Sequence, residues 1–251
     1  MTKISIITVC FNSEATIREC ILSVISQDYP NIEYIIVDGG SNDNTVKIIK
    51  EHTNDVDYFV SEKDNGIYDA MNKALKHATG EIVGFINSDD FYANNQVLTR
   101  IAMAFQTNCT EMVYGDLVFI DSKFPDKIAR YYSVPGFKPW WLKFGIMPPH
   151  TASFLKAEVF KNYGFFKTDY QIAADYEFFV RTLWKAKISY SYLPGILVKM
   201  RSGGTSSCGL KSKLTLNKEI IKGCRENGLK TNLLLLSFKI PFRIAELIRK
   251  P

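Results

Sequence analysis

A chain of 251 residues, 46% hydrophobic and 13% aromatic, can bury a sizeable core and lies well outside the composition of disordered proteins. Its net charge of +5 is scattered rather than gathered into an arm, which argues against nucleic-acid binding and suits a protein that handles phosphates or rests beside an anionic membrane. Five cysteines (Cys10, Cys20, Cys109, Cys208, Cys224), odd in number and without a C-x-x-C pair, argue against a disulfide framework and a zinc site.

Ile4–Val9 is rich in β-branched residues and predicts a buried strand. Asn12 or Ser13 then caps a helix whose apolar face is Ile17, Ile21, Val24 and Ile25. Ile32–Val37 predicts a second strand, ending on Asp38-Gly39-Gly40-Ser41, with a helix carrying Val46 and Ile49 behind it. Tyr58–Val60 predicts a third. A helix follows with Ala70, Met71, Ala74, Leu75 and Ala78 on one side, stopped by Gly80. Glu81–Ile86 predicts a fourth strand, ending on Asn87-Ser88-Asp89-Asp90.

Continuous apolar strands alternating with amphipathic helices predict an α/β domain with a mostly parallel sheet covered on both faces. Ligands of such sheets bind beyond the carboxyl ends of the strands. Asn12, Asp38, Asp89 and Asp90 all fall at those ends.

Further along, Met112–Ile120 and Ile128–Ser133 predict strands joined by a turn around Pro125-Asp126, and Lys138–Pro149 is an irregular aromatic loop. Asp175–Ala186 predicts a helix, Ile188–Leu193 a strand, and Arg201–Gly209 a Gly/Ser-rich loop of the kind that covers a ligand. The expected organisation is one domain over 1–209, with a nucleotide-binding half (1–110) and an acceptor-side half (111–209), followed by a helical segment over 210–251.

That last segment holds a helix from about Leu210 to Asn227. Beyond it Leu233–Leu236, Phe238, Ile240, Phe242, Ile244, Leu247 and Ile248 are interspersed with Lys230, Lys239, Arg243, Arg249 and Lys250, and Pro241 interrupts them. Two readings stand: a segment lying in a membrane interface beside anionic lipids, or a terminal helix docked on the core. No stretch supplies the ~20 apolar residues of a spanning helix, and Met1-Thr2-Lys3 lacks a signal-peptide design. The expectation is a cytoplasmic protein, peripheral on the inner face of the cell membrane.

Asp89 and Asp90 repel each other unless something positive separates them, which points to a hard divalent cation shared with phosphate oxygens. A capping pair for the next loop is the other reading.

Ser5–Asn12 (SIITVCFN), Val37–Thr45 (VDGGSNDNT) and Gly80–Phe91 (GEIVGFINSDDF) resemble successive motifs of the family 2 glycosyltransferases, and the resemblance extends to about Ser206. It implies the nucleotide-diphosphosugar fold called GT-A. Carried over, Phe11 takes the place of an aromatic near the base, Asp38 of a carboxylate accepting from the uracil imide, and Asp89 of a residue near the ribose or its phosphates. Asp90 takes the place of the metal ligand, for Mg²⁺ or Mn²⁺. Phe11 as plain core stands beside its reading.

Asp64–Asn72 (DNGIYDAMN) resembles a stretch of a subgroup that builds surface polysaccharide; it implies that Asn65, Tyr68 and Asn72 face the donor. Ala174–Arg181 (ADYEFFVR) resembles the segment carrying the general base, which assigns that role to Asp175, with an N-cap or first-turn acid as the other reading; many relatives have Glu where this chain has Ala174. Glu177 and Arg181 can pair along the helix. His150 matches a histidine that some relatives hold near acceptor or diphosphate, and reads equally as a structural residue. Arg201, leading its Gly-rich loop, can close over the diphosphate. Trp140 and Trp141 are candidate platforms for an acceptor sugar, or packed loop aromatics.

The resemblance thus implies an inverting, metal-dependent, non-processive transfer of a hexose or N-acetylhexosamine from a UDP-sugar to a glycan acceptor, polyprenyl-linked, in O-antigen, capsule or exopolysaccharide synthesis. Two rivals are a sugar nucleotidyltransferase, against which Cys10–Glu14 lacks the expected glycine, and a degenerate binding protein, against which Asp90 and Asp175 are both present.

Overall fold

The computed structural model describes residues 1–121, 127–201 and 209–248. The turn at Pro125-Asp126, Ser202 to Cys208 of the Gly/Ser-rich loop, and Arg249 and Lys250 lie outside the described residues.

In chain order the elements are β1 (Ile4–Cys10), α1 (Ile17–Ile25), β2 (Ile32–Asp38), α2 (Thr45–Lys50), β3 (Tyr58–Ser61), α3 (Ile67–His77) and β4 (Ile82–Phe85). There follow β5 (Asp90–Tyr92), α4 (Val97–Asn108), β6 (Met112–Ile120), β7 (Ile128–Tyr132), β8 (Ser153–Lys156) and α5 (Ala157–Tyr163). The last are α6 (Ala174–Phe179), β9 (Tyr190–Arg201), α7 (Gly209–Glu226), α8 (Leu233–Ser237) and α9 (Lys239–Ile248).

Among the described residues all the strands join one nine-stranded sheet in the order β3-β2-β1-β4-β8-β6-β9-β5, with β7 beside β6. β1 to β4 are mutually parallel neighbours, as the apolar runs predict. The remainder is mixed: β8 is antiparallel to both β4 and β6, β9 is parallel to β6, and β5 is antiparallel to β9.

Both faces of β1 are buried, so both parities of the strand are apolar. Ile7 and Val9 join a cluster with Met71, Ala74, Phe178 and Ile220, under α3, α6 and α7. Ile4, Ile6 and Cys10 join the opposite one with Ile21, Val24, Ile101 and Phe105, under α1 and α4. That strand alternation is what the period of 2 dictates.

Several details differ from the sequence expectation. α1 begins at Ile17, after a turn in which Ser13 O accepts from the Thr16 and Ile17 N–H groups, so neither Asn12 nor Ser13 is its cap. β9 runs through Pro194-Gly195 to Arg201, well past Leu193. The helix begun by α6 continues over Val180–Lys185 as a π-helix. α4 carries a helical spacing of Val97, Leu98, Ile101, Ala102 and Phe105 that the chain-order reading passes over. Pro241 lies in the first turn of α9, where a missing N–H breaks no intrahelical bond, so it starts a helix rather than interrupting one.

Among the described residues no helix is long and apolar enough to cross a membrane. α9 packs on β7, pinned by Arg130 3.5 Å from the buried Glu246. The carboxyl ends of β1 to β4, β6 and β9 and the amino ends of β5 and β8 form one rim of the sheet.

Candidate active site

At the β1–β2 corner of this rim, Asn12 turns the chain with a left-handed backbone (φ 48°). Its N–H donates to Ser41 Oγ at 2.8 Å, and its side chain accepts from the Asn42 N–H at 2.8 Å, so the loops after β1 and β2 are tied together. Phe11 is 58% exposed on that corner, which removes the plain-core reading. Asp38, by contrast, is fully buried. Its Oδ2 accepts from the N–H groups of Gly40 (3.1 Å) and Ser41 (2.9 Å) and from Ser61 Oγ (2.6 Å). Its Oδ1 accepts from Ser41 Oγ and from the Cys10 thiol at 3.6 Å. Burial, then the Asp38 charge, pushes that thiol's pKa up and keeps it a donor. The expectation pairs Asp38 with a uracil imide; in the folded chain its oxygens hold the loop.

Asn65 is exposed at the entry to α3, its backbone and amide nitrogens directed at Asp69 Oδ2 (3.0 and 3.4 Å).

The carboxylate pair sits where the chain leaves β4. Asp90 opens β5 opposite Met200, far short of α4, so it caps nothing. It is fully buried; Oδ2 accepts from Asn87 Nδ2 at 3.0 Å, while Oδ1 has no hydrogen-bond partner among the described residues. Burial, then the neighbouring Asp89 charge, raises its pKa well above the usual carboxylate range. Burial also raises Asp89, against the pull of Arg201. An orphaned anionic oxygen of this kind is what a divalent cation relieves. Among the described residues no three metal-ligating side chains cluster, so a cation here would draw its other ligands from diphosphate and water, as Mg²⁺ and Mn²⁺ do. The residues fit such an ion.

Arg201 ends β9 beside this loop. Its Nη1 donates to Asp89 O at 2.8 Å, its Nη2 pairs with Glu19 of α1, and its guanidinium lies 5.1 Å over the Phe91 ring. It fastens the carboxylate loop to two elements.

Across the rim, Asp175 lies half-buried in the first turn of α6; Ala173, not Asp175, is the cap position. Its Oδ1 accepts from the Tyr176 N–H at 2.8 Å and lies 3.2 Å from the Tyr68 hydroxyl, whose one proton is shared with Ile172 O at 2.6 Å. Oδ2 has no protein partner among the described residues. Tyr68 therefore meets the candidate base. Asn72 instead spends its amide on the Phe166 backbone, donating to O at 2.8 Å and accepting from N–H at 3.0 Å.

His150 packs among Phe85 (ring centroids 5.2 Å), Phe166 (5.7 Å) and Phe179 (6.2 Å), with Nε2 buried and without a hydrogen-bond partner among the described residues. Burial lowers its pKa, opposed by the Asp175 charge, so the ring is held neutral near pH 7. Glu177 and Arg181 pair at 3.0 Å, as expected, and Glu177 also accepts from Asn227.

Trp140 and Trp141 are grouped elsewhere. Trp140 lines a cleft of about 570 Å³ with Leu183, Trp184, Lys185 and Lys187, at the opposite end of the α6–π helix from Asp175.

Two residues here escaped sequence reasoning. Asp116 of β6 is fully buried; Oδ2 accepts from Tyr131 (2.6 Å) and Tyr192 (2.8 Å), and Oδ1 has no hydrogen-bond partner among the described residues. A lone acid within the apolar run Met112–Ile120 was its available signal. Glu219 of α7 accepts from the N–H groups of Gln171 (2.8 Å), Ile172 (2.9 Å) and Ala173 (2.9 Å), the backbone leading into Asp175. Nothing local to Glu219 announces that.

Comparison with known proteins bears on this rim. Residues 5–164 match the model of glycosyl transferase family 2. An uncharacterised glycosyltransferase of Mycobacterium tuberculosis is 31% identical over 183 residues, spanning 71% of this chain and 68% of that protein. The UDP-Glc:alpha-D-GlcNAc-diphosphoundecaprenol beta-1,3-glucosyltransferase WfgD of Escherichia coli is 34% identical over 120 residues, 47% of each chain. Among solved structures, residues 1–349 of Staphylococcus aureus TarS with UDP-GlcNAc superpose with a TM-score of 0.71 at 20% identity, covering 91% of this chain and 68% of that one. A Pyrobaculum calidifontis mannosyltransferase with GDP-Man and Mn²⁺ gives 0.65 at 19% identity, covering 98% and 69%. These two likenesses establish the fold.

Proposed function

The chain belongs to glycosyl transferase family 2, and from that premise we propose that it is an inverting, metal-dependent enzyme that adds one sugar per encounter. The donor is a UDP-hexose or UDP-N-acetylhexosamine. The acceptor is a hydroxyl of a polyprenyl-linked glycan, in the synthesis of an O-antigen, capsule or exopolysaccharide. The names of two similar proteins support the donor and acceptor classes: WfgD takes UDP-Glc to a diphosphoundecaprenol-linked sugar, and TarS was solved with UDP-GlcNAc.

The observation that carries the reading is the pairing, on one rim, of a buried and unpartnered oxygen on Asp90 with a half-buried Asp175 whose Oδ2 is free. Asp175 takes the proton of the attacking hydroxyl while Tyr68 and the Tyr176 N–H hold its other oxygen in place. A divalent ion held by Asp90, with Asp89 beside it, supplies positive charge against the departing diphosphate when bound. Phe11 offers an exposed ring for the base to stack on. Arg201 keeps the Asp89 carbonyl and the Phe91 ring in register. Attack opposite the leaving group turns an α-linked donor into a β-linked product.

Membrane contact is part of the same proposal. Leu233, Leu234, Phe238 and Ile240 are exposed, and Phe238 continues through Phe144 (5.8 Å) to the exposed Trp140 (5.9 Å), with Lys143 over both of the latter rings. An apolar patch with basic residues suits an anionic lipid surface, where a lipid-linked acceptor would be met.

The decisive measurement is thermal stabilisation by UDP, GDP, dTDP and CMP, each with Mn²⁺ or EDTA. UDP with Mn²⁺ at a hundredfold over its Kd should raise Tm on the order of 5–10 °C. EDTA or Asp90→Ala should abolish the rise. An equal rise with EDTA would remove the metal from the reading; no rise with any nucleotide would leave a glycan-binding protein without turnover.

A further inference from the structure

The chain beyond α6 departs from regular backbone twice within a few residues. Over Val180–Lys185 it widens into a π-helix, closed by the Ala186 N–H donating to Arg181 O at 3.0 Å. Lys187 then takes a left-handed conformation (φ 58°), one that glycine adopts freely, yet a long cationic side chain stands there. Wide helical turns and left-handed residues other than glycine gather at functional sites. Here both open on the cleft of about 570 Å³ beside Trp140.

Trp140, Leu183, Trp184 and Ile188 give that cleft an apolar lining, and the exposed Lys185 and Lys187 bring two ammonium groups to it. Among the described residues no aspartate or glutamate lines it. A glycan cleft needs carboxylates or amides to accept from sugar hydroxyls. Asn227 is the one such side chain among the described lining residues, and its Nδ2 is spent on Glu177 Oε1 and Gly223 O, both at 2.9 Å. Apolar walls with cations and no acid fit an anionic amphiphile instead. The cleft also adjoins the exposed apolar patch. Pro139–Phe144, the turn that carries Trp140, packs against both the π-helix and α8, and Lys143 lies 5.3 Å over the Trp140 ring.

Resting on the membrane contact proposed above, we infer that this cleft holds one anionic phospholipid of the bilayer, an acyl chain against Trp140 and Trp184 and the headgroup phosphate on Lys185 and Lys187. Lysine stems run along apolar surface while their ammonium groups stay in water, which sets the two charges at the level of a phosphate. The exposed Leu234 and Phe238 supply apolar contact with any bilayer; the cleft adds the preference for a charged headgroup.

The test is tryptophan emission of the full chain during titration with dihexanoylphosphatidylglycerol below its micelle concentration. Two of the three tryptophans, Trp140 and Trp184, line the cleft. A saturable blue shift should appear, with dihexanoylphosphatidylcholine and glycerol 3-phosphate each binding about tenfold more weakly or worse. Lys185→Gln and Lys187→Gly should each lower the phosphatidylglycerol affinity about fivefold. Both should keep the melting temperature, since Lys185 is exposed and glycine suits the backbone at 187. Equal binding of the two lipids, or wild-type affinity in both variants, would overturn the phosphate seat. The same blue shift with maltohexaose would make the cleft a glycan site and overturn the lipid. If no titrant shifts the emission, the cleft is not a lipid site. Sedimentation with phosphatidylglycerol vesicles would then leave membrane contact standing through Leu234 and Phe238, and its failure would remove the membrane reading too.

Discussion

Asp175 has one oxygen held and one free, and that division sets what its replacement does. Asp175→Asn retains an acceptor for Tyr68 and the Tyr176 N–H but loses its basicity. Turnover should drop by about 10²–10⁴-fold, with the Kd for UDP unchanged by calorimetry; normal turnover would move the base elsewhere. His150 provides a pH signature. Its folded pKa lies below the ordinary 6.5 because burial disfavours the imidazolium. As pH falls, the unfolded chain therefore takes the proton first. The stability that goes with neutral His150 is fully present above about pH 6.5 and is lost as pH drops through the lower folded value. The unfolding free energy of wild type should thus decline relative to that of His150→Gln between pH 7.5 and 5. A constant difference would mean the ring is not held neutral. Both residues stand out as candidates in the sequence because short motifs surround them. The unpartnered oxygen of Asp116 was harder to read, because a sequence does not say which of an acid's oxygens find donors.

Between elements, α7 braces the backbone that leads into the proposed base. Glu219 gathers three successive N–H groups ahead of Asp175. Nearby Lys222 pairs with Asp169 (2.5 Å), and Glu226 with Lys167 (2.7 Å) and Tyr170 (2.9 Å). A glutamine at 219 keeps the shape but loses the charge that concentrates those donors. Glu219→Gln should cut kcat about tenfold or more through loss of alignment, while the UDP Kd, set across the rim, stays put. Equal losses in kcat and donor binding would indicate a general loosening instead. The helix itself was foreseeable from residues 210–227. Its docking against α6 was not, because amphipathic spacing shows that a face is buried but not what it is buried against.

For the molecule as a whole, the C-terminal segment docks on the core through one face, as one sequence reading expects, and leaves on the other the exposed apolar side chains on which the proposed membrane contact rests. Glu246 faces Arg130 of β7, and Lys239 turns inward to Asn217 Oδ1 at 2.9 Å, its pKa held down to about 8 by burial and by Arg243. Leu234, 73% exposed, and Phe238 face outward. Wild type should co-sediment with vesicles containing phosphatidylglycerol more than with phosphatidylcholine alone, and less as salt rises. The double variant Leu234→Ser, Phe238→Ser should lose most of that binding and keep its melting temperature, since neither side chain packs in the core. Undiminished sedimentation would assign the patch another purpose.

By itself the sequence determined the four parallel strands, the rim on which their polar ends gather, the Asp90 and Asp175 positions and the family, because period-2 and period-3.6 patterns and contiguous motifs are local properties of the chain. The tertiary structure alone decided the mixed half of the sheet, where three-residue β5 is too short to carry a pattern. It alone decided that Asp38 faces inward and that Glu219 holds the backbone before Asp175. Each of these depends on groups distant in sequence meeting in space, and which partners a polar group finds is settled only when the whole sheet and its covering helices close around it.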